Sequence, residues 1–289
     1  MTLNPYRRLY DRSAAFRRFI RGLKNDAVRR ATGAALRYVG RRPLDEALAL
    51  GERCGLLAYR LLRRPRRLAL RHLEIALGDS LPPSAREHLA RMAFVNAARS
   101  FCELARIDEI RARADRYFEV EGLEHAEALR ARGGGAVVVT GHVGNWELLA
   151  AYWAWRGFPI AAVAREVQDP GLNELLVDIR RGQGVETILR ESPSSVRQIL
   201  RALRSNALLA LLVDQDTKVQ SVSVPFFGRP ARTPVAAAAL ALRRDLPVLV
   251  AFIERRAGGG HRIRIEPPIA FAASGDAAAD ITTLTRRFS

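Results

Sequence analysis

His142 and Glu147, a histidine and a carboxylate five positions apart, are the residues here whose types and spacing could do chemistry. A carboxylate on one imidazole nitrogen fixes the tautomer and supports positive charge on the ring. The other nitrogen can then take a proton from an alcohol. No Ser or Cys adjoins the pair to act as a nucleophile. On a continuous helix, positions five apart diverge by roughly 140°. The two side chains can meet if His142 precedes a helix and Glu147, in its first turn, reaches back as capping-box carboxylates do. Gly141 and Gly144 allow such a turn. Spacing alone also fits a helix-start histidine followed by a glutamate on the helix dipole.

The flanking elements must place His142 at a strand end. Ala136–Thr140 is a short apolar run after three glycines, as expected of a buried strand, and a helical pattern follows over 145–156. Strand-like runs recur at 160–164, 185–189, 207–213, 247–254 and 261–267, with helical patterns at 171–182, 193–204 and 234–244. This alternation predicts an α/β fold, a layered αβα sandwich around a mostly parallel sheet. The segments 44–62, 65–77 and 83–106 read as helices, and no strand-like run precedes Gly133. The expected organisation is a segment over 1–40 and a domain over 41–289, helical to 132 and α/β from 133.

In such sheets reactive groups gather where strands end. Arg165 follows the 160–164 run, where a guanidinium could bind a phosphate or a developing oxyanion. Asp214, Gln215 and Asp216 follow another strand; they read as hydrogen-bonding groups shaping a loop, since no His or third carboxylate nearby favours a metal. Phe226-Phe227-Gly228 reads as a hydrophobic plug with a turn, and contact with an acyl chain is a second possibility. His72, His88, His125 and His261 have no comparable partners in sequence.

The net charge of +17 is unevenly spread. Residues 1–72 hold 19 Lys and Arg against 5 Asp and Glu, a surplus of 14; the remaining 217 residues carry a surplus of only 3. A basic segment on a nearly neutral body implies an anionic partner. Phe16, Phe19, Ile20, Leu23 and Ala27 share one face of a helical pattern over 13–38, with arginines around the other sides. That pattern suits the interface of an anionic bilayer, or packing on the protein's own domain. Nucleic-acid binding is disfavoured: zinc-finger spacing and interleaved aromatics are both missing. The two cysteines, Cys54 and Cys102, give neither a disulfide scaffold nor a zinc motif. No apolar run approaches the about 20 residues of a bilayer span.

Thr140-Gly141-His142-Val143-Gly144-Asn145-Trp146-Glu147-Leu148 resembles the His-x4-Asp/Glu block of the lysophospholipid acyltransferase superfamily. Its Gly-Asn-Trp-Glu ending is similar to the bacterial late (lauroyl/myristoyl) acyltransferases of lipid A biosynthesis. Further stretches match in order over roughly residues 25–289: Glu121–Glu124; Ala164-Arg165 with Asn173–Leu176 and Arg180; Asp214–Asp216 with Val224–Gly228 and Thr233-Pro234. The resemblance implies a glycerol-3-phosphate-acyltransferase-like fold and a peripheral location on the cytoplasmic face of a bacterial inner membrane. It implies transfer of an acyl chain from an acyl-carrier-protein or coenzyme A thioester to a lipid hydroxyl, with neither cofactor nor metal. His142 would be the base, Glu147 would orient it, and Asn145, Arg165, Asp214, Gln215, Asp216, Phe227 and Gly228 would serve the substrate side. The acceptor would be a lipid A precursor or similar glycolipid; a lysophospholipid, an aminoacyl lipid or a mannosylated phosphoinositide is the alternative. Many members of that family begin with a spanning helix and end in a basic, Trp-containing tail. This sequence carries the basic amphipathic segment instead and ends at Ser289.

Overall fold

The computed structural model describes residues 29–167 and 169–289. Most of the basic amphipathic segment therefore lies outside the described residues; its last part, 29–40, is helical. Helices α1 (Leu44–Leu61), α2 (Arg63–Leu77) and α3 (Pro83–Ala105) follow, then the short α4 (Ile107–Ala112) and α5 (Ala114–Tyr117). Pro83 opens α3 at a position where a missing N–H costs nothing. Gly55 lets α1 lie directly on α3, since a Cβ there would stand 2.5 Å from the Val95 Cα.

The chain then alternates. β1 (Phe118–Glu121), α6 (Leu123–Arg132), β2 (Ala136–Thr140), α7 (Trp146–Trp155), β3 (Ile160–Ala164) and α8 (Pro170–Gly182) come first. β4 (Val185–Leu189), α9 (Ser195–Arg204) and β5 (Leu208–Leu212) follow. After a hairpin, β6 (Ser221–Phe226) and β7 (Arg229–Pro234), come α10 (Ala236–Arg244), β8 (Val248–Arg255), β9 (His261–Ile265) and α11 (Ala277–Arg287).

Seven strands form one sheet in the order β1-β9-β8-β2-β5-β3-β4. The run β8-β2-β5-β3-β4 is parallel, while β9 pairs antiparallel with β8 and parallel with β1. β2 sits centrally and is buried on both faces. Ala136 and Val138 face a core built with α7 and α3–α5 neighbours such as Trp153 and Ile110, while Val137 and Val139 face α10 and α11. These are the layers expected from a continuous apolar strand.

Two features depart from the sequence expectation. β1 precedes Gly133, where no strand was expected. Its Glu119 and Glu121 bond Arg262 and Arg264 of β9, so cross-strand charge pairs replace apolar alternation as its visible pattern. The stretch 221–234, where the sequence pattern marked only the turn at Phe226-Phe227-Gly228 and the start of a helix at 234, is a two-stranded hairpin.

Candidate active site

β2 and β5 are parallel neighbours, and Thr140 stands opposite Leu212. Two residues past those ends come His142 and Asp214, and the shared register carries them to the same edge of the sheet. The Asp214 carboxylate grips residue 142 twice. Its Oδ2 accepts the His142 backbone N–H at 2.7 Å, and its Oδ1 lies 2.7 Å from the His142 Nδ1. An ionised carboxylate can only accept, so Nδ1 carries the proton and Nε2 is left with its lone pair. Burial opposes charge on Asp214, but hydrogen bonds from the His142 ring and amide outweigh it and hold the carboxyl below the usual range. Both side chains remain about 30% exposed, at 31% for His142 and 27% for Asp214, so the pair is reachable from outside.

Gly144 completes the loop. Its φ is +59°, and a Cβ there would stand 2.1 Å from the Ile253 carbonyl oxygen of β8, which leaves room for glycine alone. Asn145 then caps α7, its Oδ1 accepting the Leu148 N–H at 3.3 Å. Trp146 sets its ring edge-on to the His142 imidazole, 4.7 Å between centroids.

The expected His142–Glu147 pair is not formed. Glu147 lies in the first turn of α7 but faces α8, where Arg180 Nε and Nη2 donate to its two oxygens at 2.8 and 2.5 Å. Trp146 Nε1 adds a third hydrogen bond at 3.2 Å. Bidentate recognition by a guanidinium outcompetes a reach back toward the loop, and Asp214 already holds Nδ1. Glu147 thus clamps α7 to α8, and Asp214 takes the position beside the histidine.

The remaining expected residues scatter. Gln215 places its Nε2 3.4 Å from the His142 Nε2. Arg165 is exposed just past the end of β3, on the same edge and two strands from β2, roughly 10 Å away by strand spacing. Asp216 is exposed, 3.9 Å from Arg232. Asn145 differs from its expected place on the substrate side. It is buried, and its amide nitrogen donates to Glu103 Oε2 at 2.9 Å, so the side chain anchors the loop inward. Phe227 and Gly228 form the two-residue turn of the β6–β7 hairpin, both at positive φ, and Phe227 projects outward rather than plugging a core.

Sequence reading missed a second carboxylate–histidine pair. Glu103 of α3 and His261 of β9 are both fully buried and lie 2.8 Å apart. Arg255, Tyr117 and Asn145 complete the shell around Glu103. His261 therefore does have a partner, 158 positions away in the chain. Burial would raise the Glu103 pKa, but hydrogen bonds and charge from His261 and Arg255 outweigh it and hold it at about 2.

Among the described residues, no group of three His, Cys, Asp or Glu side chains could hold a metal ion, and no helix is long and apolar enough to cross a membrane. Cys54 and Cys102 are both free thiols.

Residues 25–289 match the family model for bacterial lipid A biosynthesis acyltransferases. The chain belongs to that family. A phosphatidylinositol mannoside acyltransferase of Mycobacterium tuberculosis (strain CDC 1551 / Oshkosh) is 31% identical over 174 residues, 59% of this chain and 54% of that protein. Its counterpart from Mycolicibacterium smegmatis is 26% identical over 214 residues, 72% of this chain and 69% of that protein. The chain thus spans about half the length of the M. tuberculosis relative it matches. In the stretch from His142 to Glu147 the histidine faces the sheet edge and the glutamate faces α8.

Proposed function

We propose that this protein transfers an acyl chain from a thioester to a hydroxyl of a membrane glycolipid, with His142 as general base and Asp214 as the group that orients it. The observation that carries the reading is a partly exposed imidazole whose Nδ1 is held by a carboxylate, leaving Nε2 with its lone pair beside the Gln215 amide. The acceptor oxygen attacks the thioester carbonyl while its proton passes to Nε2. A C–O bond forms, the C–S bond breaks, and the leaving thiolate takes the proton back from the imidazolium. Asp214 stabilises that imidazolium, so no acyl-enzyme is required. A positioned base contributes about 10²–10⁴-fold, and alignment of the two substrates supplies much of the rest. Arg165, on the same edge, suits a phosphate of either substrate or the developing oxyanion. Gln215 would hold the acceptor hydroxyl beside Nε2.

The donor is an acyl-carrier-protein or coenzyme A thioester. Membership of the lipid A family and likeness to phosphatidylinositol mannoside acyltransferases both favour a glycolipid acceptor with a phosphorylated head. Incubation with acyl-carrier-protein and acyl-coenzyme A donors, against a lipid A precursor and a mannosylated phosphoinositide, separates these choices by mass spectrometry. One of the four combinations is expected to gain the mass of an acyl chain, and His142→Ala to lose that product while staying folded. Unchanged turnover in His142→Ala overturns the mechanism. The protein would work peripherally at the cytoplasmic face of the inner membrane, where its lipid substrate lies.

A further inference from the structure

Helix α2 has no fully buried residue, although it carries Leu68, Leu70, Leu73, Ile75 and Leu77. Leu70, Leu73 and Leu77 are half-buried on the side that packs inward. Arg64, Leu68, Arg71 and Ile75 recur at spacings of four, three and four, which places them on one outward face. Leu68 is 54% and Ile75 46% exposed, so the core does not account for them. Arg63, Arg66 and Arg67 bring the helix to five arginines against one acid, Glu74.

The β6–β7 hairpin touches the C-terminal end of this helix, where Arg229 Nε donates to the Ile75 carbonyl at 3.3 Å. Its tip carries Phe226 and Phe227, 45% and 57% exposed, with their rings edge-on at 4.8 Å. Phe227 has φ +50°, in a two-residue turn whose first position favours Asn, Asp or Gly. A bulky aromatic there costs backbone strain and, being exposed, recovers nothing from the protein core. The base of the same hairpin is separated by four residues from the Asp214–Asp216 loop, so one chain segment joins the candidate site to the tip.

We propose that the outward face of α2 and the β6–β7 tip form a docking surface for an anionic lipid bilayer. The phenylalanines, Leu68 and Ile75 enter the interface, and the arginines lie among the phosphates. This rests on the reading of the protein as an enzyme of membrane lipids, and it adds where the bilayer sits relative to the active site. Guanidinium groups interleaved with exposed apolar side chains are complementary to a negatively charged, partly apolar interface. A protruding hairpin tip suits insertion between headgroups.

The test uses the full chain. In flotation with phosphatidylglycerol-containing vesicles, Arg64→Gln/Arg67→Gln/Arg71→Gln and Phe226→Thr/Phe227→Asn are each expected to weaken binding roughly tenfold, with little binding to phosphatidylcholine in any variant. Phe226→Trp should add emission that brominated phosphatidylglycerol vesicles quench beyond the wild-type level. A tip tryptophan left unquenched in vesicle-bound protein overturns the proposal. So does an arginine variant that loses acyl-carrier-protein binding while keeping vesicle binding, since that assigns the face to a protein. The arginine variant should retain turnover on substrates dispersed in nonionic detergent. Absence of turnover in the wild type would instead count against the proposed function and leave the vesicle result standing.

Discussion

Among the described residues, two histidines are hydrogen-bonded to carboxylates at nearly equal length: His142 to Asp214 at 2.7 Å and His261 to Glu103 at 2.8 Å. The first stands at the sheet edge, partly exposed, with the Gln215 amide nitrogen 3.4 Å from its Nε2. The second is wholly buried, and its carboxylate is saturated by Arg255, Tyr117 and Asn145. A pair of this kind is a reactive device only where one imidazole nitrogen faces substrate; enclosed, it is a structural tie. Asn145 joins the two, capping the helix that follows the active-site loop while donating to Glu103. The buried pair therefore holds the frame on which the exposed pair is aimed.

The contrast predicts opposite phenotypes. His142→Ala and Asp214→Asn should each lower turnover by about 10²–10⁴-fold with little change in thermal stability. The Asn amide would disturb the tautomer that presents Nε2. Glu147→Gln should cost less turnover than Asp214→Asn if the clamp on α8 is its role, and the reverse order would restore Glu147 as the orienting group. Chemical denaturation gives the mirror image. Glu103→Gln leaves Arg255 charged, buried and under-paired, and should cost about 3–5 kcal/mol of stability.

Acid sharpens the same distinction. The Glu103 pKa is about 2 when folded, against about 4.3 in an unfolded chain. A depressed folded value means the contribution is complete above the unfolded pKa and is lost as pH falls through the folded one. Stability measured by urea melts should decline between about pH 4.5 and 2, and Glu103→Gln should flatten that decline. The lowered Asp214 pKa acts in the same direction, and Asp214→Asn should change the slope less because the group is partly solvated. A smaller stability loss than that of Glu103→Gln is expected for Asn145→Ala, which removes a helix cap worth about 0.5–2 kcal/mol together with a hydrogen bond to the buried Glu103. It should reduce both stability and turnover, whereas a turnover unchanged by Asn145→Ala would show that the two pairs are independent.

Much of the fold was legible because apolar periodicity is local. The central strands and the helices between them stand close to where 136–140, 160–164, 185–189 and 207–213 placed them. β1 escaped because its pattern depends on arginines of β9, more than 140 positions away. The hairpin escaped because Pro225, Pro230 and Pro234 obscure strand character, and a Phe-Gly turn is an uncommon signal. In the active site, the sequence located His142, its loop and the helix behind it, and it marked Asp214 and Arg180 as members of ordered blocks.

The sequence by itself therefore determined which side chain is the candidate base and where along the chain it stands. Strand, glycine loop and helix start are consequences of neighbouring residues. Only the tertiary structure decided which carboxylate lies against His142. That choice depends on β2 and β5 being parallel neighbours in a register that sets Thr140 opposite Leu212 and so carries Asp214 to the imidazole. It depends equally on α8 packing where Arg180 can take Glu147 by both oxygens. Strand adjacency and helix packing join residues 72 and 33 positions apart, and five-residue spacing carries no information about either.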